Sequence, residues 1–124
     1  MARAYVSQDP ALLRRLLRAK DRMDAASHEE WPVARLAQVS HVSQAHFARC
    51  FKQAFGLPPH RYLTGRRVEA ARGRLLAGEA ISEVAVAVGF HDQAHLHRHF
   101  AKLVGTTPAR FAGQGARWRD DLPR

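Results

Sequence analysis

Cysteine is nearly absent from this chain of 124 residues: Cys50 stands alone, so no internal disulfide can form, and the composition suits a reducing, cytoplasmic setting. Long apolar runs are missing as well. None approaches the ~18–20 residues a helix needs to cross a bilayer, and the opening MARAYVSQDP holds no hydrophobic stretch of the signal-peptide kind. Acid is in short supply, with 11 Asp+Glu against 20 Lys+Arg and a formal charge of +9. Residues 31–68 contain no acidic side chain at all, while Arg35, Arg49, Lys52, Arg61, Arg66 and Arg67 lie there. A run of one sign across a folded segment points to an anionic partner more strongly than net charge does. Lysine is scarce too: 17 of the 20 basic residues are Arg, whose planar fork suits phosphate and guanine edges. The equipment of an enzyme is wanting, since there are no paired carboxylates, no nucleophile with a matched base and no Gly-rich phosphate loop. Hydrophobic residues make up 46%, enough for a compact core, and the length suits one domain or two very small ones.

What the chain does have, it has twice. Residues 43–62 read SQAHFARCFKQAFGLPPHRY, and 49 positions later residues 92–111 read DQAHLHRHFAKLVGTTPARF. Such self-similarity implies duplicated supersecondary units. Each copy reads as a helix. Phe47, Phe51, Ala54 and Phe55 fall on one side of the first, and Leu96, Phe100, Leu103 and Val104 on one side of the second, at the spacing of a buried stripe. The opposite sides carry small residues and donors: Ala45, His46, Arg49, Lys52 and Gln53, then Ala94, His95, Arg98, Ala101 and Lys102. Ser43 and Asp92 sit where N-caps belong, Gly56 and Gly105 where helices stop, and Pro59 and Pro108 where the next helices start.

The remaining segments fit around these copies. Asp9-Pro10 opens a helix to about residue 25, with Leu12, Leu13, Leu16, Leu17 and Met23 as its apolar side and Arg14, Arg15, Arg18, Lys20 and Arg22 in water. Pro32 opens a short helix to about residue 39, with Val33, Leu36 and Ala37 inward, and residues 40–42 turn the chain into the first repeat helix, a helix-turn-helix arrangement. Residues 59–77 form the longest helix pattern, with Thr64, Val68, Ala71 and Leu75 as its stripe and Gly78 as its stop. At 1.5 Å per residue it spans roughly 28 Å, close to the ~34 Å between successive major-groove faces. Residues 81–88 are the short helix of the second unit, with Ile81, Val84, Ala85 and Val88 inward. Its turn, Gly89-Phe90-His91, carries one residue more than the first. Gly89 suits a positive φ there, and Phe90 plugs the core. A helix over 93–104 and a last short one through residue 111 complete the pattern, and the residues beyond 112 read as a frayed tail, with Trp118 as its one tether.

The second unit, through Ile81, Val84-Ala85, Gly89-Phe90, Leu96, Arg98, Phe100, Gly105, Pro108 and Phe111, resembles the DNA-binding domain of the AraC/XylS family of bacterial transcription regulators. The first unit agrees through Leu36-Ala37, Ser43, Phe47, Arg49, Phe51-Lys52, Gly56, Pro59 and Tyr62, and the linker through Arg67, Val68, Ala71 and Leu75-Leu76. The resemblance implies an all-α, homeodomain-like fold of seven helices, with two helix-turn-helix units joined by a long linker helix. The expected division is an arm over 1–9, a first unit over 10–56, a linker over 57–78, a second unit over 79–112 and a flexible tail over 113–124. Base-reading positions carry over to Gln44, Ala45, His46, Ala48 and Arg49, then to Gln93, Ala94, His95, His97 and Arg98. Arg35, Ser43, Lys52, Arg66, His91 and Lys102 are the phosphate candidates. The chain departs from the family pattern in Pro58, where a hydroxyl residue usually caps the following helix, and in Ala101, whose usual Lys is replaced by Lys102 one position on.

The function implied is a sequence-specific, double-stranded DNA-binding regulator, an activator that recruits RNA polymerase and binds its operator as a monomer, with no membrane partner, no cofactor and no metal. No effector-sensing domain fits within these residues, so the expectation is either a stand-alone regulator controlled by its abundance or a fragment, and the starting Met favours the former. Two rivals stay open: a nonspecific architectural DNA-binding protein, and a histidine-rich metal-binding helical protein built on His91, His95 and His99 at i, i+4, i+8. Arg49 and Arg98 either reach DNA or make internal ion pairs, and His97 either faces a base or flanks the core. Cys50 is expected half-buried and inert, and Phe47, Phe51, Phe90 and Phe100 are expected in the core.

Overall fold

The computed structural model describes residues 9–113. Nearly all of the expected arm, and the expected tail with Trp118, lie outside the described residues. Helices α1 (Pro10–Ala25), α2 (Val33–Ser40), α3 (Gln44–Phe55), α4 (Pro59–Leu76), α5 (Ile81–Val88) and α6 (Gln93–Val104) follow in order. A seventh helical stretch, α7, covers 108–113, and there is no strand among the described residues. The chain divides into two compact units, 1–63 and 64–124, so that α4 contributes its first turn to one and the rest of its length to the other.

The first unit forms as its caps and stripes dictate. Asp9 accepts the Leu12 N–H at 3.1 Å and Pro10 occupies the first turn, which starts α1. Leu12, Leu16, Ala19 and Met23, at i, i+4, i+7 and i+11, are its buried line. Leu17 was expected on that line; it falls one position, or about 100°, beyond Leu16 and is 38% exposed. The core around this line comprises Trp31, Leu36, Ala37, Phe47, Cys50, Phe51 and Leu63. Pro32 is the N-cap of α2 and stands just outside it, with its carbonyl accepting from Arg35 and Leu36.

Two features of this unit go beyond the sequence pattern. The Trp31 indole N–H donates to the Ala26 carbonyl at 2.8 Å, just past the end of α1, and the Arg35 guanidinium lies 3.6 Å above the Trp31 ring. Lys20, expected in water, bonds Asp24 at 3.3 Å and lies over the Tyr62 ring, while the Tyr62 hydroxyl donates to Asp24. The Tyr62 ring meets Phe51 edge-on at 5.7 Å, which ties the first turn of α4 to the centre of the core.

The second unit repeats the plan. Val68, Ala71 and Leu75 of α4 pack with Val84, Ala85 and Val88 of α5, Phe90 of the turn, and Leu96 and Phe100 of α6. Leu103 was expected on the α6 stripe and is 55% exposed. The buried line takes Leu96, Phe100 and half-buried Val104 at i, i+4, i+8, which turns position 103 outward. Thr107 accepts the Arg110 N–H at 3.2 Å to cap α7. Pro58, at the matching place before α4, offers only its carbonyl, which accepts from Tyr62 at 3.0 Å.

These burials predict that Phe51→Ala and Phe100→Ala, both at 0% exposure, each destabilise their unit by about 3–5 kcal/mol. Leu103→Ala, at an exposed position, should stay within about 0.5 kcal/mol of the parent. Chemical denaturation checks the pair. Unchanged stability in Phe51→Ala together with lost DNA binding would place the ring against bases instead of in the core.

Candidate nucleic-acid interface

A tight turn precedes each of α3 and α6. In the first turn His41 adopts the left-handed region (φ 58°) and the Val42 N–H bonds the Ala37 carbonyl at 3.1 Å. In the second, Gly89 takes the left-handed place (φ 106°) and the Phe90 N–H bonds the Ala85 carbonyl at 2.9 Å. The two turns superimpose in their bonding up to Val42 and Phe90. The chain then goes straight to the N-cap Ser43 in the first unit, whereas His91 intervenes before the N-cap Asp92 in the second. The extra residue expected in the second turn is therefore His91.

Both caps engage the third residue of their helix: Ser43 Oγ accepts the His46 N–H at 3.2 Å and Asp92 Oδ1 the His95 N–H at 2.8 Å. The caps differ in charge. The His95 N–H, followed by the neighbouring His91, holds the Asp92 carboxyl below the usual carboxylate range. Gly56 (φ 85°) and Gly105 (φ 87°) end the helices, bonding back to Lys52 and Ala101.

Of the base-reading candidates, Gln44, Ala45 and Arg49 on α3 and Gln93, Ala94, His97 and Arg98 on α6 are exposed, while His46, Ala48 and His95 are half-buried. His97 therefore faces away from the core. Neither Arg49 nor Arg98 makes an ion pair among the described residues, which disposes of the internal-pair alternative within them. The two histidines lean on the residue one turn on. The ring nitrogens of His46 lie 3.5 and 3.7 Å from Cys50 Sγ, and the His95 ring meets the His99 ring at 4.8 Å. Cys50 and His99 are themselves equivalent in the repeat. Cys50 is buried, and desolvation pushes its thiol up against the opposing charge of Arg49, so the thiolate is disfavoured.

The phosphate candidates divide. Lys52, Lys102 and Arg66 are exposed. Arg35 is held by the Glu29 carboxylate at 3.1 Å, the Glu30 carbonyl at 2.8 Å and the Trp31 ring. Ser43 lends its oxygen to the cap, and the exposed His91 ring lies 3.5 Å from the Asp92 carboxylate. The three histidines do not assemble a centre: His99 stacks on Phe90 at 5.7 Å, and among the described residues no group of three or more His, Cys, Asp or Glu is placed to hold a metal. Sequence reasoning missed the His46–Cys50 and Phe90–His99 contacts, although their i, i+4 and turn-to-helix spacings were visible.

Residues 36–114 match the family model described as a helix-turn-helix domain. The DNA-binding domain of AdpA, a global transcriptional factor solved in complex with a target DNA, is 27% identical with a TM-score of 0.80, covering 86% of this chain and 97% of that one. The transcriptional activator RclR of Escherichia coli is 31% identical over 83 residues, 65% of this chain and 29% of RclR. The bifunctional transcriptional activator and DNA repair enzyme AdaA of Bacillus subtilis is 34% identical over 84 residues, 67% of this chain and 40% of AdaA. The chain belongs to the AraC-type helix-turn-helix family of DNA-binding transcription regulators. It spans between 25% and 40% of the length of the curated relatives it matches.

The unlike caps predict unlike responses to acid. A carboxyl whose pKa is lowered by folding gives stability that is fully present above its ordinary value of about 3.9 and is lost as pH falls through the lower folded value. The His95 amide resonance should therefore titrate below pH ~4, and Asp92→Asn should abolish that step. The His46 amide, bonded to a hydroxyl, should stay flat. A flat His95 amide would contradict the charged cap.

Proposed function

We propose that this chain is a sequence-specific, double-stranded DNA-binding transcription activator that lays α3 and α6 into adjacent major grooves. The observation that carries the reading is the repeated exposed face. Gln44, Ala45 and Arg49 recur as Gln93, Ala94 and Arg98, the small residue allows close approach, and both guanidinium groups are free of ion pairs among the described residues. A guanidinium so placed is suited to the O6 and N7 acceptors of guanine. Lys52 and Lys102, near the C-terminal ends of the two helices, are suited to phosphate, as is Arg66 on α4; Arg35 contributes only by giving up its Glu29 pair. The domain division proposed from sequence, a linker over 57–78 between units over 10–56 and 79–112, goes with this reading.

The activator role is supported by what RclR and AdaA are named for, and RNA polymerase is the partner that role requires. The protein acts in the cytoplasm, binds as a monomer with one unit per groove, and carries no catalytic step of its own. No helix among the described residues is long and apolar enough to cross a membrane.

The second unit supplies more of the base specificity. Around Arg98 stand Gln93, His95 and His97, whereas around Arg49 stand Gln44 and His46, with Ala48 as the third. Arg98→Ala should weaken the best site by about 1–3 kcal/mol and relax its sequence at one end. Arg49→Ala should weaken binding with a smaller change of preference. Lys52→Ala should lower affinity on all duplexes alike and reduce the salt slope by about one. Selection of bound duplexes from a random pool, repeated with each variant, checks this. A motif half erased by Arg49→Ala and untouched by Arg98→Ala reverses the assignment.

A further inference from the structure

His46 and His95 are equivalent in the repeat, yet their rings are held differently. His91, the residue that the second turn has and the first lacks, donates its backbone N–H to Nδ1 of His95 at 3.4 Å. An imidazole nitrogen that accepts a hydrogen bond keeps its lone pair for that bond, so the proton of the neutral ring resides on the other nitrogen. The ring is also fixed in place. Phe90 meets it edge-on at 5.3 Å and His99 at 4.8 Å, while the His95 main chain is pinned by Asp92 at 2.8 Å. It is half-buried, and Nε2 has no hydrogen-bond partner among the described residues. Among the described residues the His46 ring has a hydrogen-bond contact only with Cys50 Sγ, a weak donor and a weak acceptor, which leaves its proton on either nitrogen.

We infer that the inserted His91 fixes His95 as the Nε2–H tautomer, so that on DNA this ring donates to a base-edge acceptor and cannot accept from a base amine. The inference rests on the base-reading role proposed above for His95. The acceptors it can meet in the major groove are purine N7, guanine O6 and thymine O4; the amines of adenine and cytosine are donors and are refused. A duplication that keeps the same histidine in both copies thus yields one reader of fixed hydrogen-bond sense and one whose sense is open, and the difference comes from one backbone N–H.

Two measurements on the full chain test this. Long-range proton–nitrogen correlation of the imidazoles in the DNA-free protein, at a pH where the rings are neutral, should show His95 with a protonated Nε2 coupled to both ring C–H groups and an unprotonated Nδ1. The Nδ1–H pattern, or averaged nitrogen shifts, would overturn the lock. On a duplex selected by the full chain, the base pair whose preference disappears in His95→Ala is then changed one acceptor at a time: 7-deazapurine for N7, 2-aminopurine in place of guanine for O6, 5-methyl-2-pyrimidinone in place of thymine for O4. One of these should weaken the parent about tenfold and leave His95→Ala unchanged. Equal weakening of both proteins, or none of the parent, overturns donation. A selected site indifferent to His95→Ala removes the base contact, and with it the proposed placement of His95, whereas the imidazole spectrum decides the tautomer on its own.

Discussion

Each of α3 and α6 is oriented by two side chains sunk into its own unit: Phe47 and Phe51 in α3, Leu96 and Phe100 in α6, all at 0% exposure. Fully burying a side chain of this kind is worth about 1.5–3 kcal/mol, so turning either helix about its axis would forfeit a large part of a small unit's stability. Arg49 and Arg98 lie two positions after Phe47 and Leu96, about 200° around the helix. The apolar pair therefore decides where the guanidinium points, and everything polar on the outer face inherits its direction from the core. In the first unit the Phe51 ring also carries Phe55 at 4.7 Å and Tyr62 at 5.7 Å, which fastens the end of α3 and the start of α4 to the same centre.

On that common plan the two units have diverged at the ends of their helices. The first reaches its N-cap through a two-residue turn with His41 strained into the left-handed region, and its cap is a neutral hydroxyl. The second has Gly89 where positive φ costs least, one more residue in His91, and a charged cap in Asp92. A carboxylate at a helix N-terminus suits the helix dipole, but it sets a negative charge beside residues proposed to meet DNA. His91, 3.5 Å from that carboxylate, is placed to offset the charge when protonated. The same short segment thus governs the cap, the local charge and the hydrogen bonding of His95.

Much of this was legible in the sequence because period and capping are local properties. The repeat, the phenylalanine stripe, the N-caps Asp9, Ser43 and Asp92 and the glycine stops all follow from spacing, and each stands where spacing put it. Leu17 and Leu103 were misplaced for one reason: at the edge of an apolar stripe, the neighbouring helix decides which of two adjacent positions is covered, and that information is not local. Lys20 and Trp31 were missed because their partners, Tyr62 and Arg35, act through tertiary contact and cation–π geometry. The exposed outer faces could be read residue by residue, whereas the half-burial of His46 and His95 depended on contacts one turn along and across the second turn.

A sequence-specific regulator of the kind proposed reads sequence with both units and does more than gather phosphate charge. An architectural protein would share the basic helices and the salt dependence, so neither separates the two. The ratio of affinities does. Competition at a single fixed salt concentration between a duplex selected from a random pool and bulk random duplex measures it directly. The account predicts a preference of about 10³-fold or more for the selected duplex. A ratio near one would contradict it.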